Sequence, residues 1–419
     1  MTSVRVDSGS GLEPGDPSRS DSASLDLPSA DPAKAGYPRL QPPPVSRPVL
    51  VGPPSPARTT GGPHAHGANL TLVLQTVYRN PGLTRAELAR RTGLTRVTIS
   101  ELVNQLIDDQ LVCETGLAEQ ARPGKKAISL AVRDDTTDII ACDLSGSEQL
   151  RAGVYSIYGQ PRREVDCPID GVTGESALDL VTAMIADLVA GVDRRLLGIG
   201  IGMPGTVDPA GRVLTALALG WHDLDLRARL TDRFGTTVAV MNDANAGVLA
   251  EQVFGAGSDN QLRVQIARGV GAGLLIDGQV VVGQSAAGGE IGHLVVQENG
   301  RACRCGQFGC LETWASVPAL EERMAAEPAR RQAILAEAGR WLGLALVPTL
   351  AMLDIDDIIL GGESDLINGA FAQAAETMIN QRLHSQFRSP VALKVSPLDA
   401  DATLLGAVAL ILRTSLGLR

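Results

Sequence analysis

The sequence of 419 residues lacks a basic-then-apolar opening and any long apolar run. Its longest nearly uncharged apolar stretch, Trp341 to Leu353, has 13 residues, short of the about 20 that span a bilayer as a helix. A cytoplasmic protein with no membrane partner is therefore expected. An excess of positive charge is also missing. The formal net charge of −10 excludes a protein that coats nucleic acid non-specifically, though a mean hides a local basic module. Cysteine is scarce, six in all, and without an export pattern these residues read as reduced thiols and metal ligands. Cys113, Cys142 and Cys167 stand alone and read as apolar fillers.

Residues 1–68 lack what a core requires. They hold 13 of the 24 prolines, six basic and six acidic residues, and almost no aromatic ones. Such a segment buries too little apolar surface to offset its ordering entropy, so a disordered Pro/Ser-rich tail is expected. His64 and His66 flank one alanine there, and a solvated tail accounts for them better than a metal does.

From Asn69 to Val132 the pattern is helical. Leu70, Val73, Leu74 and Val77 recur on one face, and Asn80-Pro81-Gly82 ends that helix. Thr84 to Glu87 is a capping box opening a second helix, which Gly93 ends. Thr95 caps a third, with Ile99, Leu102, Val103 and Leu106 as its inner stripe. A polar hairpin and the strand Ile128–Leu130 follow, so residues 69–132 read as a winged helix-turn-helix, an α+β domain. The segment carries eight basic and six acidic residues, a net of 8 − 6 = +2 in a chain of −10. On the open face of the third helix, Arg96, Thr98, Ser100, Asn104 and Gln105 suit phosphates and base edges of a major groove. Arg122, Lys125 and Lys126 at the hairpin tip suit phosphates or a minor groove. The plain alternative is a helical interaction domain with a solvated face. The basic hairpin favours double-stranded operator DNA as the partner.

After Thr137, strands and helices alternate: 139–143, 196–203 and 237–241 read as buried strands, each followed by a turn and a helical run. This is α/β layering. Asn242-Asp243-Ala244-Asn245 sits at a strand end, where α/β proteins bind ligands, although it also suits a helix N-cap. Farther on, His293, Cys303, Cys305 and Cys310 fall within eighteen positions. One imidazole and three thiolates suit a closed tetrahedral Zn²⁺ site, structural rather than catalytic. Gly306 and Gly309 supply the turns that curl Cys305 and Cys310 onto one ion. Three buried thiols beside a core histidine is the plainer reading, but three of the six cysteines fall in eight residues. A metal here would also fix Glu290 and Glu312, at the two ends of the stretch, relative to each other.

Gly289-Glu290-Ile291-Gly292-His293 followed by Cys303-x-Cys305-Gly306-x-x-Gly309-Cys310-Leu311-Glu312 resembles the signature of the ROK family of repressors, open reading frames and sugar kinases. The resemblance covers residues 137–419. It implies an actin-like (ribonuclease H-like) two-lobed sugar-kinase fold behind the winged domain. It also implies a sugar site with Asp243 as general base in the kinases, Asn242 beside it, and Glu290, His293 and Glu312 on further hydroxyls. The Met203-Pro204-Gly205 loop would close over the sugar. One departure is visible: where the family often has asparagine two residues before a Gly-Trp pair, this chain has Ala218 before Gly220-Trp221.

The nucleotide half departs further. Kinases of the family carry Asp-x-Gly-Gly-Thr-Lys after the first strand, and this chain has Asp143-Leu144-Ser145-Gly146-Ser147-Glu148. A glycine is lost, and a carboxylate replaces a cation beside the expected phosphates. The second loop reads Ala267-Arg268-Gly269-Val270-Gly271 in place of Gly-Thr-Gly-Val-Gly. Leu360-Gly361-Gly362 matches the family's adenosine-proximal glycines. A sugar-responsive, DNA-binding regulator, a homodimer or homotetramer, is the expected function, with no catalytic residue and ATP doubtful. The alternative is an ATP-dependent sugar kinase with Asp243 as base. A zinc hydrolase ranks last, since Cys₃His leaves no open metal position.

Overall fold

A computed structural model describes residues 63–117, 127–383 and 389–418. Helix α1 (Pro63–Arg79) starts ahead of Asn69, the boundary expected from the sequence. Val73, Leu74 and Val77 are buried as the stripe requires. The capping box forms: the Thr84 hydroxyl accepts from the Glu87 amide, and the Glu87 carboxylate accepts from the Thr84 amide, opening α2 (Arg85–Thr92). Gly93 ends α2 at φ 72°, a left-handed position that favours glycine. Thr95 caps α3 (Arg96–Asp108), and Ile99, Leu102, Val103 and Leu106 are all buried. Strands β1 (Val112–Leu117) and β2 (Ile128–Val132) pair antiparallel as the hairpin. Its tip, with Arg122, Lys125 and Lys126, lies outside the described residues.

Two sheets of five strands follow, and they repeat one topology. The first comprises β3 (Thr137–Asp143), β4 (Gln149–Tyr155), β5 (Pro161–Pro168), β6 (Arg195–Met203) and β7 (Val238–Asn242), in the order β7-β6-β3-β4-β5. Helix α4 (Gly174–Ala190) crosses from β5 to β6, and α5 (Leu226–Phe234) precedes β7. After β7 comes α6 (Asp243–Val253). The second sheet comprises β8 (Gln261–Ile266), β9 (Val270–Ile276), β10 (Gln279–Val280), β11 (Asp357–Gly362) and β12 (Ala392–Val395), in the order β10-β9-β8-β11-β12. In each, the first three strands are antiparallel and the last two join in parallel. Helix α7 (Arg331–Leu353) leads into β11, α8 (Ala370–Arg382) links β11 to β12, and α9 (Ala402–Leu416) closes the chain.

The lobes are interlocked through their last helices. Helix α6, at the end of the first lobe, packs on β8 and β9 of the second. In return α9 packs on β6 of the first lobe and on α6. Glycine permits both approaches: a Cβ on Gly406 would lie 2.0 Å from the Ala246 carbonyl, and one on Gly200 2.1 Å from that of Ala407. This duplicated, exchanged arrangement is the expected actin-like fold.

Helix α7 corrects one sequence inference. The apolar run is lengthened toward its N-terminus by a charged first half, and the segment Pro328–Leu353 is long and apolar enough to cross a membrane. Ile334, Leu335, Leu342, Leu346 and Leu350 are nevertheless buried in the second lobe's core, so packing accounts for the apolarity.

The helical module is docked on the lobes through α1. The Tyr78 hydroxyl donates to the Ile157 carbonyl at 2.8 Å, and its ring stacks on Tyr158 with centroids 5.2 Å apart. At the far end of the chain, a Cβ on Gly417 would lie 2.8 Å from the Thr71 side chain.

Candidate functional site

A cleft of about 290 Å³ opens between the lobes. Gly205, Asn242, Asp243, Glu290, His293 and Glu312 all line it, so chain segments as distant as 205 and 312 meet at one place. The first lobe supplies a strand-end group. Asn242 caps α6, its carbonyl oxygen accepting from the Asn245 amide at 3.1 Å. Its NH₂ donates to the Gly205 carbonyl and to the Asp243 carboxylate, each at 3.0 Å. The cap and the ligand wall are thus one residue. Gly205 is required: at φ 97° a Cβ would lie 2.2 Å from the Thr215 carbonyl. Burial, reinforced by the nearby Asp143 carboxylate, pushes the Asp243 carboxyl up to about 7.

The second lobe supplies Glu290, His293 and Glu312. The Ala272 amide donates to the Gly289 carbonyl at 2.8 Å, which lays the Glu290 segment along β9. A Cβ on Gly289 would lie 1.9 Å from the Ala272 carbonyl, so only glycine allows this approach. Glu312, only 8% exposed, begins a short helix directly after Cys310.

The Cys₃His loop ties these groups together. The ligand atoms of His293, Cys303, Cys305 and Cys310 lie within 4.8 Å of one another. Cys303 Sγ is 3.7 Å from His293 Nδ1, and Cys305 Sγ is 3.7 Å from Cys310 Sγ. Sulfurs about 2.3 Å from a tetrahedral zinc stand about 3.8 Å apart, so this donor set fits that ion. Because Nδ1 faces the thiols, Nε2 of the same ring is left for the cleft. Gly306 and Gly309 have φ of 91° and 75°, the turns expected of them. Val295 and Cys310 form an isolated bridge that holds the loop shut.

At the other end of the cleft the hairpins β3–β4 and β8–β9 face each other. Ser145, Gly146, Ser147 and Arg268 line it there, while Gly269 of the second turn stands beside Glu312, whose carboxylate a Cβ on it would meet at 2.8 Å. Arg268 Nη1 reaches Ser147 Oγ at 3.4 Å, a contact between hairpins 121 positions apart in sequence. Glu148, expected to repel phosphate from this end, is exposed and does not line the cleft. Of the two, Arg268 is the side chain that lines this end of the cleft. Ala218 does line the cleft, so a methyl stands where the family often has an amide.

Two residues were not anticipated. Arg304 lies between Cys303 and Cys305 and donates to Glu312 Oε1 at 2.9 Å. The alternation of the loop carried that signal, because both neighbours turn toward the metal position. Val97, 68% exposed on α3, stands among the polar residues of the open helix face.

On that face Arg96 and Asn104 are exposed, while Thr98 and Ser100 are half-buried. Thr98 shares a hydrogen bond with the Thr95 hydroxyl at 2.9 Å, and Ser100 donates to the Arg96 carbonyl at 2.9 Å. Asn104 accepts from Arg85 at 3.2 Å. Gln105 is drawn aside, its side chain bonded to His66 at 2.8 Å.

This cleft, its Cys₃His loop and the helical module define a sugar-kinase-like domain joined to a winged helix. The chain belongs to the ROK family, whose model matches residues 146–414. A model of the MarR family matches residues 71–122. The xylose repressor of Bacillus subtilis (strain 168) is 26% identical, covering 82% of this chain and 94% of that protein. The DNA-binding transcriptional dual regulator NagC of Escherichia coli (strain K12) is 27% identical, covering 85% and 97%. The crystal structure of a ROK family transcriptional regulator, a homolog of the E. coli MLC protein, shares the fold. Its TM-score is 0.73 at 24% identity, and it covers 85% of this chain and 98% of that one.

Proposed function

We propose that this protein is a sugar-responsive transcriptional regulator, a repressor of carbohydrate genes that binds operator DNA. The observation that carries the reading is the union, in one chain, of an open polar α3 face and a cleft lined by hydroxyl-binding groups. Asp243, Glu290 and Glu312 accept from sugar hydroxyls, and Asn242 and His293 Nε2 complete the set. Zn²⁺ held by His293, Cys303, Cys305 and Cys310 has a structural role, fixing Glu312 and His293 across the cleft.

Arg96, Thr98, Ser100 and Asn104 enter the major groove, and Val97 suits a thymine methyl. Arg122, Lys125 and Lys126 extend the contact to phosphates. A two-fold dimer presents two α3 helices to operator half-sites, and a tetramer pairs such dimers. Thiolates and chromosomal DNA both place this activity in the cytoplasm. Sugar bound to both lobes favours one closure of the cleft. The Tyr78–Ile157 bond and the contact of Thr71 with Gly417 carry that closure to α1.

The test is fluorescence anisotropy on the gene's own upstream DNA at fixed salt, titrated with pentoses, hexoses and N-acetylated sugars. One sugar is expected to change specific binding. Arg96→Ala should weaken that binding about tenfold and leave sugar affinity unchanged. DNA binding no stronger than a salt-sensitive background would sink the regulator reading, and sugar-dependent ATP turnover would establish the kinase instead.

A further inference from the structure

Gln265, next to last in β8, lines the cleft beside the strand-end group of α6. Arg263, two positions earlier and so on the same face of the strand, is 1% exposed. Its guanidinium fills space that two glycines leave. A Cβ on Gly247 of α6 would lie 2.5 Å from Nη1, and one on Gly361 of β11 2.1 Å from Nη2. Glu251 of α6, also fully buried, stands 3.5 Å from Nε. The Ser396 hydroxyl donates to that carboxylate, as does the Ala256 amide at 3.3 Å, so the counter-ion is itself held. From this fixed position Arg263 Nη1 donates to Gln265 Oε1 at 2.6 Å. A guanidinium has donors only, so the amide atom that meets it must be the oxygen, and the NH₂ takes the other end. That NH₂ makes no hydrogen bond among the described residues and, unlike Arg263 Nη2, is not sealed from solvent. The other side-chain amide of the cleft, Asn242, has spent both its N–H groups on Gly205 and Asp243.

We propose that Gln265 is a further ligand-binding residue of the cleft, donating its NH₂ to a hydroxyl oxygen of the sugar, and that Arg263 is the positioning residue that holds the amide this way round. The inference rests on the sugar reading of the cleft. A hydroxyl that donates to Asp243, Glu290 or Glu312 still has an oxygen able to accept, and Gln265 serves one such oxygen. A glutamine without a fixed partner turns either amide end to the cleft. The buried cation removes that choice before the sugar arrives, so none of the binding energy goes into orienting the amide.

The test is calorimetric titration of the full chain with D-xylose, D-glucose and N-acetyl-D-glucosamine, then with the monodeoxy analogues of whichever binds. Gln265→Leu should weaken that sugar about tenfold. Gln265→Glu keeps the shape but turns an acceptor to the cleft, and should weaken it at least as much. One monodeoxy analogue should bind Gln265→Leu and the parent equally, because the hydroxyl that Gln265 serves is already missing from it. Arg263→Gln should cost about threefold or more in the parent and nothing further in Gln265→Leu, whereas a merely structural role costs the same in both. Arg263→Lys, a donor without an acceptor, should recover much of that loss. If Glu251 without its cation stops the Arg263 variants folding, Gln265→Asn decides, since its amide is one methylene short of Arg263; parent-like affinity there overturns the positioning role. Unchanged affinity in Gln265→Leu and Gln265→Glu, or a loss equal for every analogue, overturns the binding role while the sugar reading stands. A parent that binds none of the three sugars overturns both.

Discussion

The two ends of the interlobe cleft are built from the same repeated topology and have diverged in chemistry. At the hairpin end, β3–β4 and β8–β9 are equivalent turns of the two repeats, and Arg268 now bridges them to Ser147. At the other end Asn242, Asp243, Glu290 and Glu312 converge, and Arg304 donates to Glu312. Backbone amides bind phosphate by close approach, which a long side chain across the turn hinders, although a guanidinium can itself pair with an anion. The carboxylates and amides at the other end act through side chains, and the Cys₃His loop sets the positions of His293 and Glu312.

The strongest way to break this contrast is to remove what holds the carboxylate end. Cys305→Ser, or chelation, should lower sugar affinity about 100-fold, because Glu312 and His293 lose their fixed separation. The α1–α3 module, whose buried cluster runs on into the lobes but contains none of the Cys₃His residues, should stay folded by circular dichroism. Sugar affinity equal to the parent's would end the scaffold role of the loop.

A moderate effect comes from pH. The Asp243 carboxyl is held up at about 7 by burial and by Asp143. Sugar hydroxyls donate best to the ionised form, so affinity should rise as pH increases through 7 and fall below it. Between pH 6 and 8 the ionised fraction changes about tenfold, which bounds the gain. Asp243→Asn should bind more weakly and give a flat profile; a flat profile in the parent would show that Asp243 does not meet the sugar.

The smallest effect is expected at the hairpin end. Arg268→Gly removes the bridge to Ser147, yet the glycine lost from the first hairpin stays lost. Nucleotide affinity should rise by less than about tenfold, with no sugar-dependent ATP hydrolysis. Turnover in this variant would mean that a single arginine separates this cleft from a kinase.

Much of the molecule was legible in the residues because its signals are local. The capping box at Thr84–Glu87, the α3 stripe and the Gly306 and Gly309 turns each act within a few positions, and each formed. The Cys₃His set spans only eighteen residues, so its spacing alone implied convergence. The outward position of Glu148 was not legible, for the complementary reason. Which way a hairpin side chain points depends on the turn and on what lies across the cleft, and neither is written beside it.

By itself, then, the sequence determined the helices of the winged module, the alternating α/β layers, the metal-type loop and the carboxylate and amide residue types that line the cleft. Periodicity, caps and ligand spacing are short-range properties. Tertiary structure alone decided that β7 and the Cys₃His loop share one cleft and that Arg268 reaches Ser147 across its far end. Those outcomes follow from the exchange of α6 and α9 between lobes, a long-range packing choice that no local pattern encodes.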